Sequence, residues 1–214
     1  MPLSASDPAV VHLAAIDPIM RRWIEDIGPC TLKPHVRRSP FESLVRAIAH
    51  QQLHGRAAES ILMRFIALFP GRKFPRPDDL LTINMRAMRA AGFSRSKIFA
   101  LRDLAAKTLD GTVPTNRVIQ ALGDDEIIER LVEVRGIGRW TVEMLLIFQL
   151  GRPDVLPIDD FGVRNGFRIV YGRRSMPTPK QVFQYGERWK PYRTVAAWYL
   201  WRAADRDKRA KQVV

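Results

Sequence analysis

Apolar residues recur at helical spacing along almost the whole chain, and this periodicity is the feature that most limits the fold. Phe41, Leu44, Val45 and Ile48 occupy positions i, i+3, i+4 and i+7 of one helix face. Comparable stripes predict helices within residues 58–65, 98–109, 127–134, 142–148, 182–189 and 195–204. The one segment of strand type, residues 155–158, is short and contains a proline that cannot donate to a sheet ladder. The sequence therefore predicts an all-α protein of about eight to ten helices.

The residue counts exclude several classes of protein. A chain of 214 residues can bury a full-sized core, which suits one domain made of two helical lobes around a cleft. We expect the lobes to comprise residues 40–157 and residues 1–39 together with 158–214. Cys30 is the only cysteine, so a disulfide scaffold, a four-cysteine zinc site and an iron–sulfur cluster are excluded.

The sequence gives no sign of membrane insertion or export. No apolar run reaches the ~18 residues that a membrane span needs. The segment from Met1 to Val10 lacks the basic start and apolar core of a signal peptide. With a single cysteine, these features predict a reducing, intracellular location and no membrane partner.

The chain is strongly basic. Lys and Arg total 35 against 22 Asp and Glu, which gives a formal net charge of +13. Such an excess favours a polyanionic partner, because each phosphate that Lys or Arg neutralises releases condensed counterions. A solvated basic surface is the alternative, and the charge alone does not decide between them.

The segment with the most specific pattern is residues 131–142, LVEVRGIGRWTV. An apolar helix runs into Gly136-Ile137-Gly138, and a second helix begins at once. Two glycines one residue apart permit a sharp turn with positive φ and leave the turn's amides open to a phosphate. The second helix would direct its positive dipole end at that phosphate, and Arg139 adds a charge. A plain turn between two helices is the alternative for this segment taken alone.

A second informative segment is residues 154–164, DVLPIDDFGVR. Adjacent acids before Phe-Gly-Val are typical of a helix start, where Asp is a favoured N-cap. The functional alternative is a carboxylate that faces a cleft and stabilises positive charge developing on a substrate. The segment alone leaves both interpretations open.

Together and in this order, these segments resemble the helix-hairpin-helix (HhH-GPD) superfamily of DNA glycosylases, and within it the 3-methyladenine DNA glycosylase II family. Residues 41–53, FESLVRAIAHQQL, resemble the family's early helix and the loop that inserts into the duplex. Residues 187–193, ERWKPYR, and 198–201, WYLW, resemble its C-terminal helices. The similarity spans residues 41–202, and the length suits the compact form, which lacks the N-terminal β-rich domain of some bacterial members.

The resemblance implies an all-α fold with a DNA-binding cleft between two helical lobes. It also implies a monofunctional glycosylase that hydrolyses the N-glycosidic bond of alkylated purines, such as 3-methyladenine, in double-stranded DNA during base excision repair. The target nucleotide must leave the stack, because its glycosidic bond is out of reach inside a duplex. We expect a monomer without a cofactor, located inside the cell, and in the cytoplasm or at the nucleoid if the source is bacterial.

The resemblance also assigns the acids. Asp160 corresponds to the family's catalytic aspartate, because two residues and then an aliphatic one, Val163, follow it. Asp159 is then expected to be a helix cap or an orienting group. The hydrolysis itself needs no metal.

The hairpin is expected to hold the DNA backbone. The residues that the resemblance assigns to this contact are Gly136, Ile137, Gly138, Arg139 and Thr141. The carbonyls of Val134 and Gly136 are the expected ligands of a monovalent cation at the turn.

The base pocket is expected to be aromatic, because a cationic purine is attracted to π faces. The corresponding positions are Trp140, Phe161 and Trp201, with Met144 where some relatives carry an aromatic residue. Packing in the core is the alternative for each aromatic side chain.

The residue that fills the gap left by the flipped base is expected from the loop after the early helix. Leu53 is the first candidate, because apolar side chains are the usual wedges between base steps, followed by Gln52 and His54. Leu53 could instead pack at the helix end inside the protein.

Two other functions are compatible with parts of the pattern. A non-catalytic helix-hairpin-helix module would clamp the backbone, but it would gain nothing from Asp160 facing DNA. A glycosylase for oxidised or mispaired bases often carries a lysine in the second hairpin helix or four cysteines near the C-terminus. This chain has Trp140 at the lysine position and only Cys30.

Overall fold

The computed structural model describes residues 7–53 and 55–212, and these residues contain α-helices and no β-strand. The α-helices are α1 (Pro8–Ile16), α2 (Pro18–Ile27), α3 (Pro40–His50), α4 (Gly55–Ala67), α5 (Pro77–Thr82), α6 (Met85–Ala91), α7 (Arg95–Leu109), α8 (Asn116–Ala121), α9 (Asp124–Leu131), α10 (Arg139–Leu145), α11 (Phe161–Val170), α12 (Pro179–Gly186) and α13 (Arg193–Gln212). A π-helical turn, Leu146–Leu150, follows α10, and a 3₁₀ turn, Glu187–Trp189, follows α12. The predicted all-α class is confirmed.

The predicted number of helices was too low, because thirteen α-helices lie in the described part of the chain. Three of those missing from the prediction, α5, α6 and α8, have only six or seven residues. Fewer than two turns give too few apolar positions for a periodic stripe to be recognised. None of the described helices is long and apolar enough to cross a membrane.

Short polar side chains start several of the helices. Ser39 accepts a hydrogen bond from the Glu42 amide at 3.1 Å and begins α3, and Ser94 caps α7 in the same way. These bonds satisfy amides that have no partner within the helix. The predicted stripe of α3 is confirmed, because its four apolar residues are all buried.

The chain divides into two compact units. One comprises the described residues between 36 and 145 and is called here the hairpin unit; the other comprises the described residues up to His35 and from Leu146 onward and is called the aspartate unit. The predicted lobes changed over at residues 39/40 and 157/158, whereas the units change over at 35/36 and 145/146.

The hairpin unit is built around α3 and α7. Helix α3 packs against α4, α7 and α10, while α5 and α6 pack against α7, and α9 packs against α10. Phe65 and Phe93 meet edge to face in its core, with ring centroids 5.2 Å apart. The packing of α3 against α10 brings the loop after α3 close to the hairpin turn.

The aspartate unit depends on close packing of α11 against α13. Gly166 of α11 permits this approach, because a Cβ there would lie only 1.9 Å from the Leu200 carbonyl oxygen of α13. The buried core around this contact includes Phe167, Trp189 and Cys30. Burial raises the pKa of the Cys30 thiol to about 11, so this cysteine is a core residue rather than a nucleophile.

A buried carboxylate connects α2 to the rest of the aspartate unit. Asp17 is 1% exposed and caps α2 through the amides of Ile19 and Met20. Its other oxygen accepts hydrogen bonds from the Tyr171 hydroxyl (2.7 Å), the Trp189 indole (3.1 Å) and the Tyr185 hydroxyl (3.2 Å). Burial alone would raise the pKa of Asp17, but these hydrogen bonds outweigh it and lower the pKa below its usual value. The ionised carboxylate therefore fixes α2 to α11, α12 and the following 3₁₀ turn.

We expect Gly166→Ala to destabilise the protein. The added methyl group would overlap the Leu200 carbonyl, so that α11 and α13 must separate. The free energy of unfolding should fall by about 3 kcal/mol, as for an overpacked core, measured by chemical denaturation.

Gly55→Ala is the matched control, because a Cβ at the start of α4 would have no neighbour within 4 Å. It should change the free energy of unfolding by less than about 0.5 kcal/mol. An equal effect of both substitutions would contradict the importance of the contact between α11 and α13.

Candidate functional site

The hairpin turn joins α9 to α10 through residues 132–138. Gly136 adopts a φ of +77°, a conformation that L side chains rarely adopt, and the Ile137 amide then donates to the Val134 carbonyl at 3.0 Å. Ile137 is buried between the glycines. Gly138 has no positive φ, and a Cβ there would meet nothing within 4 Å. Only the first glycine is therefore required by the backbone, whereas the second leaves open space at the start of α10.

The turn is also tied to other parts of the hairpin unit. The Arg135 amide donates to the Asp103 carboxylate at 2.7 Å, and the Gln51 side-chain amide donates to the Gly136 carbonyl at 2.8 Å. The sequence pattern placed Gln51 in the wedge segment, but neither its bond to the turn nor that of Asp103 was predicted, because both residues lie far along the chain from the turn. Their bonds fix the direction in which the hairpin presents its amides.

Among the described residues, the Ile137 amide donates to the Val134 carbonyl and the Gln51 side-chain amide donates to the Gly136 carbonyl. A carbonyl oxygen has two lone pairs, so it can accept a second partner. Carbonyl oxygens are suitable ligands for a monovalent cation. The donor set fits such an ion, and the cation stays a prediction. Within the described residues no cluster of three or more His, Cys, Asp or Glu side chains could hold a metal ion.

Arg139 begins α10 with its side chain 60% exposed. Its Nε lies 3.1 Å from the Oε1 of Glu143, a buried carboxylate one turn along the same helix. Glu143 was not predicted as a site residue, although the i, i+4 spacing of opposite charges could have indicated the pair. The pair holds the stem of Arg139 at the first turn of α10.

A cavity of about 480 Å³ lies within the hairpin unit, between the end of α3 and the start of α10. Its lining consists of Ala47, His50, Gln51, Gln52, Gly136, Trp140, Thr141 and Met144. Trp140 is 48% exposed, which contradicts the alternative of a core residue. The structure thus brings together two predicted base-pocket residues, Trp140 and Met144, with the predicted wedge residue Gln52.

The loop after α3 presents two of the predicted wedge residues. Gln52 has a φ of +56°, the one positive φ of a non-glycine residue in the described chain. Leu53 is 41% exposed, so it is not a helix-end residue packed inside the protein. His54, the third candidate, lies outside the described residues.

The aspartate unit contains the predicted catalytic residue. Asp160 precedes α11, and its Oδ1 accepts hydrogen bonds from the Val163 amide and from the Trp201 indole, both at 2.8 Å. The expectation that Asp159 provides the helix cap is therefore wrong. Asp159 lies exposed in the turn before α11, whereas Asp160 is at the position from which a carboxylate reaches the third amide of the helix.

Trp201 contacts the predicted catalytic aspartate as well as aromatic neighbours. Its ring stacks on Phe148 with centroids 5.6 Å apart and an interplanar angle of 26°. Gly162 makes room for it, because a Cβ there would lie 2.8 Å from Trp201 Cδ1. Phe161, the first residue of α11, is 70% exposed beside Asp160. Phe148 and Gly162 were missed, since nothing in their local sequence indicates a contact with α13.

The predicted site residues are therefore distributed over both units. The hairpin, the cavity and the loop after α3 belong to the hairpin unit, whereas Asp159, Asp160, Phe161 and Trp201 belong to the aspartate unit.

Comparison with known proteins identifies the family. The HhH-GPD superfamily of base excision DNA repair proteins matches residues 45–191. The chain is 41% identical to DNA-3-methyladenine glycosylase 1 of Schizosaccharomyces pombe over 199 residues, which cover 92% of this chain and 86% of that protein. The chain belongs to the HhH-GPD superfamily of base excision DNA repair proteins, as the resemblance of its motifs predicted.

Solved structures agree with this assignment. The S. pombe 3-methyladenine DNA glycosylase in complex with abasic DNA aligns with a TM-score of 0.80 and 42% identity, over 91% of this chain and 95% of that one. A DNA-3-methyladenine glycosidase of Bacillus halodurans aligns with a TM-score of 0.89 and 34% identity, over 98% and 94% of the two chains. The predicted fold family is therefore confirmed.

Proposed function

We propose that this protein is a DNA glycosylase that hydrolyses the N-glycosidic bond of alkylated purines, such as 3-methyladenine, in double-stranded DNA. The observation that carries the proposal is the Asp160 carboxylate, which an amide of α11 and the Trp201 indole hold in one orientation. Similarity to 3-methyladenine glycosylases supports the same activity. DNA is the partner, and a net charge of +13 suits it.

The chemistry requires only a positioned carboxylate and water. An N-alkylated purine is positively charged. When the C1′–N bond breaks, the purine takes the bonding electrons and leaves as a neutral base. The sugar then resembles an oxocarbenium ion, and an anion fixed beside it stabilises the charge that develops in the transition state. Water adds its oxygen to C1′ and releases a proton. In this role Trp201 orients Asp160, because its N–H fixes one carboxylate oxygen.

The cavity beside Trp140 is the proposed base site of the hairpin unit. Its size is in the range of small-molecule pockets, and the exposed indole offers a π face to a cationic purine. The flexible thioether of Met144 adapts to bases of different shape. The exposed ring of Phe161, next to Asp160, is a second stacking surface.

The hairpin is the proposed site for the DNA backbone. The open space at Gly138 lets a phosphate approach the first amides of α10, where the helix dipole is positive. Arg139 and the Thr141 hydroxyl lie in the same first turn. Contacts to phosphate bind DNA without reading its sequence, which suits an enzyme that must search all of it.

The loop residues Gln52 and Leu53 are the proposed wedge. The exposed apolar side chain of Leu53 is suited to insertion between base steps once the target nucleotide has left the stack. The left-handed conformation of Gln52 turns the chain sharply between the two residues that flank it.

Two alternatives are less consistent with these observations. A non-catalytic backbone clamp would explain the hairpin but not a carboxylate that two donors orient, since an acid near DNA repels phosphate. A glycosylase that excises oxidised bases with a catalytic lysine would need an amine at position 140, where this chain has a tryptophan. We propose a monomer, because one chain supplies both the aspartate and the hairpin, and an intracellular location, because its substrate is DNA.

We expect Asp160→Asn to abolish base release while DNA binding persists. The carboxylate stabilises charge that exists only along the reaction path, so its loss should lower the single-turnover rate roughly 100- to 1,000-fold. The assay is chromatography of bases released from methylated duplex DNA, with binding to abasic-site DNA measured separately. Trp201→Phe, which removes one of the two donors, should give an intermediate rate.

Asp159→Asn tests the assignment of the two adjacent acids. If it abolished release of 3-methyladenine while Asp160→Asn did not, the catalytic role would belong to Asp159. Release of no alkylated base by the wild-type protein would contradict the proposed function.

We expect Gly138→Leu to weaken binding to every DNA duplex to the same degree. A Cβ at this position would meet nothing within 4 Å, so we expect the fold to tolerate the side chain, which would occupy the space through which a phosphate is proposed to reach the turn. The dissociation constant should rise roughly tenfold, as for the loss of one hydrogen bond to a charged group. Gly123→Leu is the control, because it also has no neighbour within 4 Å but lies at the other end of α9. If Gly138→Leu and Gly123→Leu bound DNA with equal affinity, the turn would have only a structural role.

We expect the protein to release the base and leave the strand intact. Strand cleavage by β-elimination needs an amine that forms a Schiff base with C1′, and the indole of Trp140 is not a nucleophile. Incubation with methylated DNA and borohydride should trap no covalent complex. A trapped adduct would contradict the monofunctional assignment.

A further inference from the structure

The loop of residues 51–53 is held by side chains from two different elements of the hairpin unit. Lys97, in the first turn of α7, directs its Nζ at the carbonyl oxygens of Ala49 (2.9 Å) and Gln51 (2.7 Å). Gln51 in turn donates its side-chain amide to the Gly136 carbonyl of the hairpin turn at 2.8 Å. The loop is therefore fixed to α7 on one side and to the hairpin on the other.

The position of Lys97 is unusual for a lysine. Its side chain is partly buried, and burial lowers the pKa of its ammonium group below the usual value. A lysine on the surface would avoid this desolvation. The carbonyls at the end of α3 compensate for it, because a cation at a helix C-terminus is favoured by the helix dipole.

The bond to the Gln51 carbonyl fixes the peptide that leads into Gln52. Gln52 has a φ of +56°, which is unfavourable for a residue with a side chain. Such a conformation persists only where the surroundings enforce it, and it is frequent at functional sites. Lys97 and Gln51 together supply that constraint on the residue directly before the exposed Leu53.

We propose that Lys97 is a positioning residue that, together with Gln51, presets the loop 51–53 for insertion into the duplex. The same two side chains tie the loop to the turn that holds the DNA backbone, so that phosphate binding and insertion use one rigid arrangement. Preorganisation of this kind removes the cost of ordering the loop when DNA binds. The inference rests on the proposed glycosylase function and deepens it.

The test compares two DNA duplexes, each of which contains one 3-methyladenine. In one the adenine faces thymine, and in the other it faces an abasic-site analogue, where extrusion of the base needs less energy. For Lys97→Met the single-turnover release of 3-methyladenine should fall roughly 10- to 100-fold on the paired duplex, as expected for a displaced group. On the duplex with the abasic analogue it should fall by less than about threefold.

Three further variants make the result specific. Arg102→Met is the matched control, because Arg102 is also a partly buried cation of α7 and donates to a backbone carbonyl, that of Ile83 at 2.9 Å, which belongs neither to the loop nor to the hairpin turn. It should leave both rates unchanged. Lys97→Arg should keep most of the wild-type rate on the paired duplex. Gln51→Leu should show the same selective loss as Lys97→Met. If Lys97→Met is unfolded at the assay temperature, Gln51→Leu and Lys97→Arg carry the comparison.

The outcomes separate the inference from the proposed function. A selective loss on the paired duplex supports the positioning role. Equal losses on both duplexes, or none, overturn it while the wild-type activity stands. A wild-type protein that releases no 3-methyladenine from either duplex overturns the proposed function, and the inference falls with it.

Discussion

The contact between α11 and α13 determines the geometry of the aspartate unit. Gly166 lets the two helix backbones meet at the Leu200 carbonyl, and Gly162 leaves room for Trp201 one turn earlier. The indole can then reach the carboxylate of Asp160, whose same oxygen also caps α11. The absence of two Cβ atoms thus fixes the orientation of the proposed catalytic group.

In this arrangement one residue can serve two purposes that appeared exclusive in the sequence. An aspartate before a helix is usually explained by capping, whereas a catalytic acid must face its substrate. Asp160 caps α11 through one oxygen, and this bond together with the Trp201 indole limits the directions its carboxylate can take. Capping here is the means by which the carboxylate is positioned.

The hairpin unit follows a similar logic at its turn. Gly136 supplies the left-handed backbone, and its carbonyl receives the amide of Gln51 from the loop after α3. Lys97 fixes the other side of that loop. The proposed phosphate site, the cavity beside Trp140 and the exposed Leu53 are thereby connected by one network of hydrogen bonds, and each bond joins residues distant in the chain.

Local patterns in the sequence determined the helical class, the start of α3 and α7, and the hairpin between α9 and α10. Helix caps and apolar spacing depend on residues within about one or two turns, so they can be recognised without the fold. The family motif further indicated Asp160 and Trp140. The short helices α5, α6 and α8 contain too few apolar positions to be recognised. The cap of α11 was assigned to Asp159 instead of Asp160, because the choice between adjacent aspartates depends on the residue at which the helix begins.

Only the tertiary structure decided which distant groups complete each site. Trp201 lies 41 residues from Asp160, Gln51 lies 85 from Gly136, and Lys97 lies 46 from Gln51. No local propensity encodes such pairs, because they form when packed helices bring a donor within about 3 Å of an acceptor. The sequence specified the proposed catalytic and binding groups, and helix packing specified their partners.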